Sequence, residues 1–345
     1  MQLKKILVIV ALIGLIIFAI FSFFVYRIAF MSNTSFESDS VNLFIKNNIS
    51  YEQFLEQIDP FILDVDDFHL WAKQKNYKLK PGKYIIRKGM NNNQIINTLR
   101  SKSVTVNVIF NNIKSLNELA GKISQQIEAD SISFIKSFDT DFFAKNGFDK
   151  KNILSMYIPN SYNFYWNTSA EKFNSKLFEE YNKFWQKNNR ANKANEIGLS
   201  KTEVMILASI VFEESKKNIE QPKIAGVYIN RLRSNWKLQA DPTVKFAAYQ
   251  LDQYKNTVIR RVLNKHLKIN SPYNTYKYFG LPPGIISMPS IQAIDAVLNY
   301  EKHNYYFFAA DPTNPGYHSF ASSLSEHSKN ARKFHKFLNS QGIKK

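Results

Sequence analysis

Two adjacent carboxylates, Glu213 and Glu214, end a segment that runs from Leu199 to Ser215 and reads LSKTEVMILASIVFEES. Ser200 and Glu203 have the spacing of a capping box, which predicts a helix start. Between Val204 and Phe212 only Ser209 is polar, so this helix is apolar nearly all round and belongs inside a core. A carboxyl at the rim of such a core loses hydration, which favours its neutral form. A Glu that keeps its proton at neutral pH is a general acid. Successive helical residues diverge by ~100°, so at most one of the pair turns back toward the core. The alternative reading is a solvated charge pair.

Three punctuated segments follow: LQADPTV from Leu238, SPYNTY from Ser271 and GLPPG from Gly280. Their Pro and Gly residues fix loop backbones. Rigid loops beside one desolvated Glu point to a site that cleaves glycans. Other chemistries fit less well. The six His residues form no HExxH pattern and no metal-ligand spacing, and there is no Cys, so neither a metal nor another cofactor is expected. There is also no G-x-S-x-G elbow and no phosphate-cradling Gly loop.

The elements that must position this chemistry are legible in outline. Val41–Lys46 alternates like a strand, Ser50 and Gln53 cap a short helix with Phe54 and Ile58, and Val65–Lys75 reads as a helix with Phe68 and Trp71 on one face. Lys80–Arg87 reads as a turn and then a strand, and Asn93–Arg100 as another helix. Ser103–Phe110 alternates as a strand, and Ser115 with Glu118 opens a capped helix. Met156–Tyr165, split by Pro159, is loop or edge strand. Glu171–Lys187 is amphipathic through Phe173, Leu177, Tyr181 and Trp185. Helices over Lys223–Arg233 and Ser290–Tyr300 and a buried strand over Tyr305–Ala310 complete an α+β pattern.

The N-terminus sets the expected location. Residues 1–5 form a short tail, and Ile6–Tyr26 carries no charge and no Pro, the ~20 residues that span a bilayer. Lys4 and Lys5 orient this tail to the cytoplasm and the rest of the chain outside it. Residues 27–40 read as a polar linker. The formal net charge of +18 favours polyanions such as anionic headgroups or acidic wall polymers. The basic residues are scattered and no nucleic-acid module appears, so nucleic acid is not an expected partner.

Residue strings then carry a resemblance. ASIVFEES, IAGVYINRLR from Ile224, LQADPTV, SPYNTY, GLPPG and GYHSF from Gly316 occur in the order found in the YceG-like family of endolytic murein transglycosylases, across most of residues 200–330. KPGKYIIRKGM is similar to part of that family's LysM-like subdomain. The resemblance implies a single-pass membrane anchor over 6–26, a small LysM-like module over 41–102 and a mixed α/β catalytic domain over 103–345. Laid on Ser209-Ile-Val-Phe-Glu-Glu214, the family's catalytic Glu falls on Glu214, with Phe212 and Glu213 departing from the family pattern of Glu and Lys. Leu154 and Ser155 also depart from it, where Glu-Gly is common. The resemblance implies peptidoglycan glycan strands as substrate and partnership with wall-synthesis machinery such as penicillin-binding proteins.

In that chemistry one Glu suffices, because the muramic acid 6-hydroxyl is the nucleophile. Glu214 would protonate the glycosidic oxygen and then, as carboxylate, take the hydroxyl proton, leaving a 1,6-anhydro end. Gln239, Asp241, Tyr273, Asn274 and Tyr276 are then candidates to hold sugars, each with an alternative role as a loop brace. Two other functions stay open: a muramidase-type hydrolase using Glu214 with Asp241, and a non-catalytic wall-binding scaffold.

Overall fold

The computed structural model describes residues 2–255 and 257–340, so Met1 of the expected tail, Asn256 and the last five residues of the expected catalytic part lie outside the described residues. The chain divides into two compact units, one from residues up to 108 with 125–129 and 162–169, the other from 109–124, 130–161 and 170 onward. Residues 103–108, 125–129 and 162–169, which the sequence assigns to the catalytic part, thus group with the first unit. Periodicity along a chain does not reveal a segment that returns.

In the first unit, the helix Gln2–Phe30 runs past the expected 6–26 into the supposed linker. Its last turn is buried at Ile28 and Ala29, where the Asn92 amide donates to the Ile28 carbonyl at 2.8 Å and Arg27 pairs with Asp67 at 3.0 Å. Asn33, also within the stretch expected to be solvated, is buried and bonds Asn92 at 2.7 Å and the Asp64 backbone on both sides. Ile28, Ala29 and Asn33 are therefore packed into the fold, and the buried amides find their partners there. Strands Ser40–Ile45 and Gly82–Arg87 pair antiparallel from Ser40↔Arg87 to Ile45↔Gly82. Helices Tyr51–Ile58 and Asn92–Arg100 both start with a capping box, at Ser50 and Asn91. With Val65–Gln74 they enclose Leu43, Ile45, Phe54, Phe68, Tyr84 and Leu99, while Trp71 sits half-buried at the edge.

The second unit is built around the helix Lys201–Glu214, in which every residue from Val204 to Val211 is buried. Helices Gln221–Arg233 and Ile291–Leu298 pack on it. The long helix Ala170–Gln186 buries Phe173, Leu177, Tyr181 and Trp185, as its spacing predicts. Buried Arg190 clamps Asp295 with two bonds of 2.7 and 2.9 Å. Met156–Tyr165 resolves into the end of a 3-10 turn, Ile153–Met156, and a strand, Asn160–Tyr165. The expected buried strand Tyr305–Ala310 is shorter, Phe307–Ala310, and only half-buried. It pairs with one other strand, His318–Ala321, with Ala310 opposite His318, so part of its surface is left open.

Ser209, the one polar residue in the apolar stretch, is explained by its two bonds. Its hydroxyl donates to the Ile206 carbonyl at 2.7 Å and accepts the Ile286 backbone N–H at 3.2 Å. The helix thereby holds the segment after GLPPG, whose Gly284 lies so close to the Lys151 carbonyl and the Tyr273 hydroxyl that a Cβ there would overlap both. Ser209→Ala leaves the buried Ile286 N–H without a partner and is expected to destabilise the fold by about 1–3 kcal/mol. Urea unfolding measures this, and unchanged stability would contradict the assigned role.

Candidate active site

The two carboxylates part as helical geometry requires. Glu213 accepts from Lys216 at 3.1 Å and from the Ser287 hydroxyl at 3.0 Å, on the flank of the helix. Glu214 accepts the Tyr228 hydroxyl at 2.6 Å and borders a cavity of about 450 Å³. The helix Gln221–Arg233 supplies both Tyr228 and Arg231, three residues apart and so on one face. Tyr228 is fully buried behind Glu214. Arg231, 7% exposed, donates to the carbonyls of Tyr306 (2.8 Å) and Leu238, tying the approach to strand Phe307–Ala310 to the LQADPTV loop. The cavity wall therefore comes from separate stretches of chain, several of them held by these two side chains.

Burial is the main influence on Glu214 and pushes its pKa up to about 7. The Tyr228 bond pulls it down, the Asp241 charge pushes it up, and Arg231 and Lys245 pull it down again. The carboxyl keeps partial exposure on its cavity side, so it is both desolvated and reachable. At neutral pH roughly half of such groups carry a proton, against well under ~1% for a carboxyl at ~4.3. Tyr228 itself is pushed well above its ordinary value by burial and then by the Glu214 charge, so it acts as a fixed donor.

Of the residues singled out in the loops, three line this cavity with Glu214: Gln239, Asp241 and Tyr276. Asp241 accepts the Tyr276 hydroxyl at 2.7 Å and opens the helix Asp241–Tyr249. Gln239 adopts a left-handed backbone (φ 49°), strain that its surroundings enforce. Its N–H reaches the Thr275 carbonyl at 3.1 Å, and the next N–H reaches the Thr275 hydroxyl at 3.0 Å. The structure does not bring Asn274 or Tyr273 to the cavity. Asn274 is fully buried, and its amide is used up on the carbonyls of Leu267 and Ile269 and the N–H of Tyr276. Tyr273 packs its ring on Phe246 with centroids 4.7 Å apart. Both brace the turn that delivers Tyr276.

Other residues of the site were not singled out from sequence: Tyr228 behind the carboxyl, and Arg231, His318 and His327 in the cavity lining, where the strand Phe307–Ala310 joins them. Tyr228 and Arg231 do leave a trace, as polar-ended side chains three residues apart on an expected helix. His318 lies within the GYHSF string without being marked out there, and His327 leaves no trace, because a strand pairing and a helix start bring them in from the far end of the chain.

Comparison with known proteins gives the chain's relatives. The model of the YceG-like family matches residues 43–333. An endolytic murein transglycosylase of Bacillus subtilis (strain 168) is 30% identical over 286 residues, which cover 77% of this chain and 76% of that protein. One from Streptococcus pneumoniae is 34% identical over 132 residues, 38% of this chain but only 23% of the relative. A crystal structure of a YceG-like protein from Listeria monocytogenes shares the fold, with a TM-score of 0.56 at 24% identity over 85% of this chain and 99% of that one.

The balance of influences on Glu214 can be read directly by infrared titration of the carboxyl. The group is expected to titrate near 7, with Tyr228→Phe moving it up, since a bond to the charged form is lost, and Asp241→Asn moving it down, since a repelling charge is lost. A wild-type value near ~4.3, or shifts of the opposite sign, would contradict the assignment.

Proposed function

The chain belongs to the YceG-like family, and on that footing we propose that it is a lytic transglycosylase cutting peptidoglycan glycan strands endolytically, with Glu214 as its acid. The observation that carries the reading is one half-buried carboxyl, held by a buried tyrosine hydroxyl at 2.6 Å, with a pKa raised to about 7 at the wall of an open cavity. Glu214 gives its proton to the glycosidic oxygen between N-acetylmuramic acid and N-acetylglucosamine as that bond breaks. The muramic acid 6-hydroxyl attacks the same carbon, closing a 1,6-anhydro ring. Attack from within the same sugar gains the effective concentration of an intramolecular reaction, so no second carboxylate is needed to activate water. Gln239 and Tyr276 offer polar ends for the sugars, and Asp241 holds Tyr276 in place. Hydrolysis is the second reading, because Asp241 shares the cavity and could serve as the second carboxylate of a muramidase.

The rest of the chain fits work at a membrane surface. The apolar helix Gln2–Phe30 is long enough to cross a bilayer, and we place the second unit outside the cytoplasm on the strength of Lys4 and Lys5. The first unit, a two-stranded sheet wrapped by capped helices, is read as the LysM-like module that grips glycan strands. Penicillin-binding proteins are the proposed partners, whose nascent strands the enzyme would shorten. Crosslinking in intact cells tests that pairing, and a complete absence of adducts would remove it.

Two outcomes follow for purified peptidoglycan. Glu214→Gln keeps size but cannot donate the proton, and is expected to lower turnover by at least ~10²-fold, while Glu213→Gln has a mild effect. Mass analysis of the released ends reads both, and an active Glu214→Gln beside a dead Glu213→Gln would reverse the assignment. For topology, a reporter fused after residue 345 is expected to be active only outside the cytoplasm. Activity inside would overturn the placement.

A further inference from the structure

The apolar stretch Ile6–Tyr26 matches the ~30 Å apolar layer of a bilayer, so the far edge of that layer falls near Tyr26 and Arg27. Phe30 lies one turn further along the same helix, ~6 Å on, within the ~5–7 Å that lipid headgroups add on each side. Helical side chains lean toward the N-terminus, which brings the Phe30 ring back over Tyr26 with centroids 6.0 Å apart. Trp71 meets Phe30 from the first unit at 6.3 Å. Tyr26, Phe30 and Trp71 therefore form one row of rings at headgroup depth. Cations flank the row, with Arg27 over Phe24 at 5.6 Å and Lys75 over Trp71 at 5.3 Å. Amphipathic rings beside cationic heads are the side chains that this layer accepts best.

The helix Val65–Gln74 packs on the last turn of the apolar helix through Asp67 and Trp71, and turns Phe68 and Ala72 into the core. Leu70 stands about 160° from both core residues and is 47% exposed. Phe30 and its chain neighbour Met31 are each 49% exposed. A lone exposed apolar side chain needs no explanation, but these gather where the apolar helix ends. Charge does not account for them, since Arg27, Lys73 and Lys75 are balanced by Asp64, Asp66 and Asp67.

We infer that Phe30, Met31, Leu70 and Trp71 form an apolar foot by which the first unit rests in the headgroup layer of the membrane. The inference rests on the reading of Gln2–Phe30 as a membrane anchor. Buried Ile28 and Ala29, with the Asn92 and Asn91 amides on the Ile28 and Phe30 carbonyls at 2.8 and 3.3 Å, leave no hinge between the helix and the unit. Helix and foot together hold the unit at one height and one tilt above the bilayer. Apolar and aromatic surface supplies the attraction, so the foot takes zwitterionic and anionic lipid alike.

The chain has no Cys, so single nitroxide labels can be placed on the full-length protein in phosphatidylcholine nanodiscs. Ile16→Cys reports the helix, Leu70→Cys the foot, and Ile219→Cys, at a site 81% exposed on the second unit, serves as the aqueous reference. Power saturation compares collisions with oxygen, which favours lipid, and with a nickel chelate confined to water. The label at position 16 is expected to meet oxygen almost alone. At position 70 a several-fold loss of nickel collisions against position 219 is expected, unchanged by high salt or by added anionic lipid. Lipid brominated near its headgroup is expected to quench part of the tryptophan fluorescence, and Trp71→Phe to remove the quenchable part. A label at position 70 as open to nickel as that at 219, beside a shielded position 16, would overturn the foot and leave the anchor standing. Shielding of position 70 that needs anionic lipid and vanishes in salt would overturn it in favour of an electrostatic contact. Position 16 open to water would overturn the anchor reading and the inference with it.

Discussion

A carboxyl at the end of a helix that is buried on every side loses much of its water, and Glu214 stands at that end. The apolar run from Val204 to Val211 exists to be inside, and its burial sets the environment of the residue that terminates it. Burial alone would neutralise the carboxyl over too wide a range of pH. Tyr228 offsets part of that effect by bonding the charged form, and Arg231 and Lys245 add to the offset while Asp241 opposes it. The result is a proton held loosely enough to be given and firmly enough to be present near neutrality.

The same helix organises the loops. Ser209 holds the stretch after GLPPG through the Ile286 N–H, and Arg231, from the neighbouring helix, holds the LQADPTV loop and the approach to the strand of the far wall. Thr275 then positions Gln239 and Ala240, and buried Asn274 sets the turn that carries Tyr276 to Asp241. Each loop is thus tied to a buried donor or acceptor and not left to its own backbone. That explains how residues from distant stretches of chain form one wall in a chain with no Cys to make a disulfide.

Much of this is legible in the sequence because it is local. The capping box at Ser200, the apolar run and the divergence of two neighbouring helical residues locate a desolvated Glu, and the 2.6 Å bond from Tyr228 singles out Glu214. Loop chemistry is less legible. Asn274 and Gln239 look alike as polar residues beside Pro, yet one spends its amide on backbone carbonyls and the other stands strained at the cavity. Which fate a side chain meets depends on partners far away in sequence. Glu220 accepts the His318 backbone N–H from 98 positions away, and no periodicity joins the two. Asn33 shows the same limit: it is polar, but its amide is matched by Asn92 and Asp64, so polarity at that position means a buried network and not solvent.

The central claim is that a single protonated carboxyl suffices because the substrate supplies its own nucleophile. Digesting peptidoglycan with the wild-type protein in ¹⁸O-labelled water tests this most directly. If the 6-hydroxyl attacks, the new muramic acid ends are anhydro and carry no label. Label at those ends would show that water attacks, and Asp241 would then have to be the second carboxylate of a hydrolase.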